Sequence, residues 1–244
     1  MLGSRTVTTF KHSGDMGDII FSLPTIRAIC SSTQQRAVLF LDPQGGLREP
    51  LVNWPHHDHT KLTEDGIEQL RPLLEQQQYI AEVKFWDGET VDHNLDKFRS
   101  HVRYNNLSDS HLAAFALPFV ERDKKWINIP PKKLSKPYII ARSCRYHSNF
   151  SFWEQLDREV VDNAYYIGHE KEHEYFQYTY GVSIDRHEVK DIYELAQVIE
   201  GCSKFYGNQG LPHAIAEGLK KDLVNEVYRV YPSAVFEREG ATYV

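Results

Sequence analysis

The sequence has little of what marks secreted, membrane-spanning or zinc-binding proteins. Its 244 residues include three cysteines, Cys30, Cys144 and Cys202, which lie far apart, so we expect neither a disulfide framework nor a zinc site. No apolar run approaches the roughly 20 residues that cross a bilayer. The N-terminus lacks a charged segment followed by an apolar one, as a secretion signal would have. We therefore expect a cytoplasmic protein without a transmembrane segment.

An excess of positive charge is also absent. The chain has 28 Lys and Arg against 34 Asp and Glu, for a net charge of −6. This balance argues against a general nucleic-acid binder, although it leaves room for a local basic face. Hydrophobic residues make up 41% of the chain, which is enough for a packed core in one large domain or two small ones.

Candidate strands and helices alternate along both halves of the chain. The apolar patterns predict strands at 6–10, 37–41, 79–85, 138–142, 164–167, 204–206 and 223–227. They predict helices at 18–30, 64–77, 95–102, 110–117, 151–159, 189–202 and 211–220, with Ser110 as one helix cap. Repeated alternation of this kind favours an α/β fold with parallel sheets.

A basic, proline-rich segment interrupts the alternation at residues 121–137. It contains three prolines and five lysines, and we interpret it as the link between domains 1–130 and 131–244. Two successive βα arrays predict two Rossmann-like parallel-sheet domains that face each other across a cleft. The lysines either form a solvated linker or border a cleft that binds an anion, and the sequence leaves both open.

The first candidate site is the turn after the first strand, within KHSGDMGDIIFSLPTIR at residues 11–27. It places Asp15 and Asp18 at the carboxyl end of a strand, where ligands bind in open α/β sheets. A carboxylate there can deprotonate an incoming hydroxyl, or it can cap the following helix. His12 and Ser13 are candidates for orienting a ligand.

The second candidate site is GNQGLPH at residues 207–213, between a strand and a helix. Pro212 suits the first helical turn, and the free N–H groups there form an anion site that suits a diphosphate. The spacing matches neither a P-loop nor GxGxxG, and an ordinary βα turn also favours Gly and Asn.

Three further polar clusters have alternative interpretations. Arg142 and Arg145, after the first strand of the second half, either clamp a phosphate or pair with acids at the surface. Asp96 and Arg99 either contact an acceptor or belong to a solvated helix start. The histidine-rich run at 54–59 lacks metal-ligand spacing and is interpreted as a polar loop.

Four segments together resemble a known family. GDMGDIIFSLPTIRAI, YIIARSCRY, YIGHEKE and DIYELAQVIEGCSKFYGNQGLPHAIAEGL occur in the order found in the ADP-heptose:lipopolysaccharide heptosyltransferase family, glycosyltransferase family nine. The resemblance implies the GT-B fold, a nucleotide-diphosphate sugar as co-substrate, an inverting reaction and neither a metal nor another cofactor.

The resemblance also implies roles for individual residues. The MGD step matches the family's catalytic aspartate at Asp18. The GNQGLPH turn matches the segment that holds the donor phosphates, which implies Gly207, Asn208, Gln209, Gly210 and His213. Glu217, one turn further along the helix, either reaches a ribose or is an exposed helix acid. The chain departs from the family in two ways. The family's turn often carries an acid before the glycine, whereas this chain has Asn208 and Gln209 there, and the chain is shorter than is usual for the family.

The function expected from sequence is therefore transfer of a sugar from a nucleotide-diphosphate donor to a saccharide or lipopolysaccharide-type hydroxyl. Two alternatives remain at this stage. One is a transferase that glycosylates a hydroxylated nucleobase in DNA, and the other is a non-catalytic protein that binds nucleotide sugars. The sequence specifies neither the sugar nor the oligomeric state.

Overall fold

The computed structural model describes residues 6–43, 62–102, 104, 106–148 and 150–244. The histidine-rich run at 54–59 lies outside these residues. The chain divides into two compact units, Met1–Asn128 and Ile129–Val244, so the division falls two residues before the position expected from the prolines. Among the helices that the structure describes, none is long and apolar enough to cross a bilayer.

The first unit contains a four-stranded parallel sheet. Its strands are β1 (Val7–His12), β2 (Arg36–Leu41), β3 (Ile80–Phe85) and β4 (His93–Asn94), in the order β3-β2-β1-β4. Its helices are α1 (Met16–Thr33), α2 (Glu64–Glu75) and α3 (Leu107–Ala114), with 3₁₀ segments at Leu95–His101 and Phe119–Asp123. Five consecutive residues of β2, from Ala37 to Leu41, are buried, as expected for a strand covered on both faces.

The two long helices of this unit follow the predicted apolar patterns. The face of α2 that carries Ile67, Leu70, Leu73 and Leu74 is buried, and Thr63 caps its start by accepting the Gly66 N–H. Helix α1 continues through Pro24 without interruption. The helix remains whole because residues 19–26, which include Pro24, are all buried, and this packing outweighs one lost backbone hydrogen bond.

The second unit contains a six-stranded parallel sheet. Its strands are β5 (Tyr138–Ala141), β6 (Ala164–Tyr166), β7 (Asp185–Arg186), β8 (Lys204–Asn208), β9 (Leu223–Glu226) and β10 (Ala241–Tyr243). The order is β10-β9-β8-β5-β6-β7. Its helices are α4 (Phe150–Glu154), α5 (Arg158–Asp162), α6 (Glu170–Tyr180), α7 (Ile192–Gly201) and α8 (Leu211–Gly218).

The strand order of the second unit is that of the doubly wound nucleotide-binding fold. Counted along the unit, the strands lie in the sheet as 3-2-1-4-5-6, and the first unit repeats the 3-2-1-4 part. The order reverses between β5 and β8 in the second unit and between β1 and β4 in the first. Ligands of such sheets bind beyond the carboxyl ends of the strands at this switch point. The α/β class with two parallel sheets is therefore confirmed.

Several local expectations were wrong. Ser110 is buried inside α3, whose cap is Asn106, because the Asn106 side chain accepts the Asp109 N–H. The segment predicted as one helix at 151–159 forms two short helices, α4 and α5. The helix predicted at 95–102 is instead a 3₁₀ segment at Leu95–His101. The strand predicted at 204–206 continues to Asn208, so Gly207 is a strand residue.

The basic segment at 121–137 is also more ordered than a solvated linker. Trp126 and Ile127 are fully buried in the first unit. Lys132 bonds through its backbone N–H to Gln197 O, and its ammonium group pairs with Glu194 on α7. Lys136 pairs with Asp185 at 2.7 Å. These lysines are therefore engaged within the second unit.

Candidate active site

At the switch point of the first unit, Asp96 connects the ends of β1 and β4. The Ser13 N–H donates to Asp96 Oδ1 at 3.0 Å, and the Ser13 hydroxyl donates to Oδ2 at 2.8 Å. Burial alone would raise the pKa of Asp96, but the backbone N–H of Ser13 and nearby positive charge outweigh burial and lower it. Asp96 is therefore ionised at neutral pH, and it fixes the position of the turn after β1.

Lys11 provides the positive charge at this edge. Its Nζ lies 2.8 Å from Asp42 and 3.3 Å from Asp96, and it stands 4.2 Å above the centroid of the Trp86 ring. Burial lowers the pKa of Lys11, but the two carboxylates outweigh this effect and raise it. Our sequence analysis did not single out Lys11. A lysine at the end of an apolar strand was the pattern that could have identified it.

Asp15 and Asp18 form the two ends of a capping box at the start of α1. Asp15 is the cap residue, and its N–H donates to Asp18 Oδ2 at 3.3 Å. Both side chains are half-buried. The capping interpretation therefore holds for both residues, and a carboxylate has enough acceptor positions to cap a helix and to receive a proton as well.

His12 lies beneath this turn. Its side chain is fully buried, and its Nδ1 accepts the Gly14 N–H at 2.8 Å. Burial, opposed by the charge of Asp96, lowers the pKa of His12 to about 4, so the ring is neutral with its proton on Nε2. His111 and Phe98 pack against the same ring, with centroids 5.2 and 5.6 Å away. Because it is buried, we assign His12 to holding the turn and not to contacting an acceptor.

Glycine is the one residue type that fits at position 14, between His12 and Asp18. A Cβ there would lie 2.5 Å from His12 Cε1 and 2.8 Å from Asp18 Oδ2. Real Cβ atoms do not approach other atoms so closely, so any larger residue would displace the carboxylate or the ring. The predicted site residue Arg99 lies further out, with a 53% exposed side chain whose Nη2 is 4.0 Å from Asp96 Oδ1.

At the switch point of the second unit, Asn208 holds the loop that follows β5. Its Oδ1 accepts the Ser143 N–H at 3.0 Å, and its Nδ2 donates to Ser143 O at 3.0 Å and to Arg145 O. The side chain is buried, and both of its amide N–H groups are used. Asn208 therefore shapes the site and does not itself reach a ligand.

Gln209 holds a second loop, the one that follows β9. Its Oε1 accepts the Tyr228 N–H at 3.0 Å, and its Nε2 donates to Tyr231 O at 3.1 Å. Gln209 is also buried. Two consecutive amide side chains thus position the two loops that flank the carboxyl end of β8.

Arg142 is committed to an ion pair inside the second unit. Its guanidinium donates to both oxygens of Glu226, and both side chains are buried. The paired-arginine interpretation therefore holds for Arg142, although the pair is internal and not at the surface. Arg145 lies at the edge of the loop, where its Nη2 donates to Tyr146 Oη at 2.7 Å.

His213 and Glu217 lie on the buried face of α8. Burial, together with the charges of Arg238 and Lys220, lowers the pKa of His213 to about 3, so the ring is neutral and offers no charge to a phosphate. Glu217 is fully buried and pairs with Arg238 at 2.9 Å and with Lys220 at 2.5 Å. Of the two alternatives for Glu217, the exposed helix acid was therefore wrong.

The backbone at the start of α8 remains open. The first amides of a helix have no partners within it, and they carry the positive end of the helix dipole. Among the described residues other than its chain neighbours, only Pro212 Cδ lies within 4 Å of the position that a Cβ on Gly210 would occupy, so a ligand can approach the main chain there. Within the described residues, no group of three His, Cys, Asp or Glu side chains is placed to hold a metal ion.

The fold of this chain recurs in solved structures. The glycosyl transferase family 9 protein of Veillonella parvula DSM 2008 matches with a TM-score of 0.61 at 9% identity, over 100% of this chain and 87% of that chain. E. coli heptosyltransferase WaaC with ADP-2-deoxy-2-fluoro heptose matches with a TM-score of 0.59 at 7% identity, over 98% and 92%. This chain has the GT-B fold of the family-nine glycosyltransferases.

A third solved structure with this fold is the iron-containing dodecameric glycosyltransferase TibC from enterotoxigenic E. coli H10407. It matches with a TM-score of 0.57 at 13% identity, over 98% of this chain and 64% of that chain. No protein-family model and no curated protein matches the sequence. The GT-B assignment therefore stands on the structure, because the three matching chains share only 7–13% sequence identity with this one.

Proposed function

We propose that this protein is a glycosyltransferase that uses a nucleoside-diphosphate sugar as donor. The observation that carries the proposal is the unobstructed backbone at Gly210, at the start of α8 and beside the switch point of a 3-2-1-4-5-6 sheet. Anions bind at such helix starts because free N–H groups and the helix dipole act together. WaaC, which has the same fold, was solved with an ADP-sugar analogue.

In the proposed reaction, Asp18 is the base. Its carboxylate takes the proton of the acceptor hydroxyl as the acceptor oxygen bonds to the anomeric carbon. The bond from that carbon to the diphosphate breaks, and the nucleoside diphosphate leaves with the electron pair. Amides at the start of α8 stabilise the charge that builds on the phosphate. A single displacement inverts the anomeric configuration, and no step in this scheme requires a metal.

The surroundings of Asp18 suit a base. The ring of His12 lies beneath the turn that carries Asp18, and burial lowers the pKa of His12 to about 4, so this ring is neutral. The contact between His12 and Gly14, together with the cap from the Asp15 N–H, fixes the carboxylate in place. We propose a saccharide hydroxyl as the acceptor.

The test compares Asp18→Asn with Asp123→Asn, which removes an acid whose side chain is 53% exposed in the same unit. Thermal-shift screening against a panel of ADP-, UDP- and GDP-sugars first identifies the donor. We then expect Asp18→Asn to lower kcat by about 10²–10⁴-fold with unchanged donor affinity, and Asp123→Asn to behave as wild type.

Three results would contradict the proposal in different ways. Near-normal turnover by a folded Asp18→Asn variant would remove Asp18 from its role as base. Donor binding without release of nucleoside diphosphate, for every acceptor supplied, would favour a non-catalytic nucleotide-sugar-binding protein. If no nucleotide sugar shifts the unfolding temperature of the wild type, the donor class itself is wrong.

A further inference from the structure

Two tyrosine-bearing loops meet beside the start of α8. Asn208 holds the loop at 142–148, and Gln209 holds the loop at 227–231. Ser148 connects the two loops directly, because its Oγ accepts the Arg229 N–H at 3.0 Å. Two buried amides thus bring these loops together, and the proposed base-catalysed step uses neither loop.

The loops bring three tyrosine rings into contact. The centroids of Tyr146 and Tyr228 are 5.2 Å apart at an angle of 56°, and those of Tyr228 and Tyr231 are 6.4 Å apart at 33°. Tyr231 is 68% exposed, and the other two are partly exposed. We call Tyr146, Tyr228 and Tyr231 the tyrosine platform. An exposed, ordered aromatic cluster is typical of a surface that takes a ligand ring.

The backbone of Tyr146 is strained. Its φ of 59° lies in the left-handed region, which is costly for a bulky residue. The residue is held there by the bond from Asn208 Nδ2 to Arg145 O and by the bond from Arg145 to the Tyr146 hydroxyl. Strain of this kind persists where the surroundings enforce it, and it clusters at functional sites.

Arg145 adds a buried hydrogen-bond donor. Its guanidinium lies 4.7 Å from the centroid of the Tyr146 ring. Its Nε–H is buried and bonds to none of the described residues. A buried donor without an acceptor is costly, and an oxygen of a bound ligand would satisfy it.

We propose that the tyrosine platform stacks against a ring of the nucleotide-sugar donor whose diphosphate rests on α8. This inference rests on the proposed function. The ring has a flat, partly apolar face and is either the nucleobase or the sugar of that donor. The nearby polar side chains of Asn208, Gln209 and Glu226 already bond to backbone or to Arg142, so the face of the ring is what these loops recognise.

The test measures binding by calorimetry for wild type, Tyr228→Ala, Tyr228→Phe and Tyr231→Ala. The probes are inorganic pyrophosphate together with ADP, ADP-glucose, UDP, UDP-glucose, GDP and GDP-glucose, and the nucleotide pair that binds the wild type is used. We expect Tyr228→Ala to weaken binding about 5- to 150-fold, as removal of one stacking ring does, and Tyr228→Phe to bind as wild type. Pyrophosphate affinity should not change. Tyr178→Ala, a 91% exposed tyrosine on α6, is the matched control.

The probes distinguish whether the stacked ring is the nucleobase or the sugar of the donor. Weaker binding of both the diphosphate and its sugar identifies the base, whereas weaker binding of the nucleotide sugar alone identifies the sugar. Tyr231→Ala removes a largely exposed side chain, so it keeps the test valid if Tyr228→Ala fails to fold. If both variants bind as tightly as Tyr178→Ala, the platform is refuted and the proposed function stands. If the wild type binds no probe, both fail.

Discussion

Arg142 and Glu226 form a buried ion pair across the centre of the second sheet. Arg142 Nε lies 2.7 Å from Glu226 Oε2, and the two side chains are 1% and 0% exposed. Because β8 lies between β5 and β9, the pair joins the ends of two strands that are not neighbours. Glu226 also accepts the Trp153 indole N–H at 2.8 Å and the Ser148 N–H at 2.6 Å.

Replacing Glu226 should therefore destabilise the second unit strongly. Glu226→Gln leaves the Arg142 charge buried without its counter-charge, which costs about 3–5 kcal/mol of unfolding free energy. Urea denaturation followed by circular dichroism measures the loss. Asp162→Asn breaks the exposed pair with Arg158 and should cost less than about 1 kcal/mol. Equal urea midpoints for the two variants would show that the buried pair is not needed for stability.

Two glycines in the turn after β1 should respond oppositely to alanine. At Gly14 a methyl group meets His12 and Asp18, so Gly14→Ala should lower stability by about 1–3 kcal/mol. At Gly17 nothing lies within 4 Å of the new Cβ, and the residue is helical, so Gly17→Ala should be neutral or gain up to about 1 kcal/mol. Thermal unfolding of the two variants checks the sign, and a stable Gly14→Ala would mean that the turn is looser than described.

Much of this fold follows from local sequence patterns. Apolar periodicity located α2 and α7, and the glycine-containing turn after β1 pointed to the first switch point. Strand β4 was missed because a strand of two residues is too short to show a pattern. The segment that follows it nevertheless places Asp96 in the site. Helix α6 was missed because, of its eleven residues, only Glu172 and Phe176 are buried, which leaves a weak apolar stripe.

The candidate site was harder to predict than the fold. The sequence singled out the turn residues as a group, but the contacts of each depend on partners distant in sequence. Glu226 pairs with Arg142 across 84 residues, and Asn208 bonds to Ser143 across 65. Charged residues such as Glu217 are usually exposed, and only the fold brings Arg238 close enough to make its burial tolerable.

The burial of His213 should make stability depend on pH. Its pKa is about 3 in the folded protein and about 6.5 when unfolded, so below pH 6.5 the unfolded chain binds a proton that the folded chain does not. Stability is therefore lost as pH falls from 6.5 towards 3. Between pH 6.5 and 4.5 this histidine alone accounts for a loss of up to about 2.7 kcal/mol.

Urea titrations at pH 7.0 and 4.5 measure this effect. His213→Phe keeps an aromatic ring beside Phe236 and Tyr243 and cannot titrate. The variant should lose about 2 kcal/mol less than the wild type between the two pH values. His169→Asn, at an exposed cap position, should lose as much as the wild type. An identical loss for His213→Phe and wild type would show that His213 gains its proton while folded.

Changing Asn208 to aspartate keeps the shape of the side chain at the second switch point and replaces its neutral amide by a negative charge. Asn208→Asp keeps the oxygen that accepts the Ser143 N–H but replaces the amide that donates to Ser143 O and Arg145 O. A carboxylate facing two carbonyl oxygens is repulsive, so the loop should detach at a cost of about 2–4 kcal/mol. Asn128→Asp, at an exposed position, should cost less than about 0.5 kcal/mol.

Nucleotide affinity shows whether the loop that Asn208 holds also contributes to donor binding. If the loop that carries Arg145 and Tyr146 is part of the donor site, Asn208→Asp should weaken nucleoside-diphosphate binding even at temperatures where the variant is fully folded. Hydrogen exchange should show faster exchange at Ser143 and Arg145 in the variant, because loss of the amide contacts opens this loop first. Unchanged nucleotide affinity together with fast loop exchange would place the donor away from this loop and leave the start of α8 as its only proposed anchor.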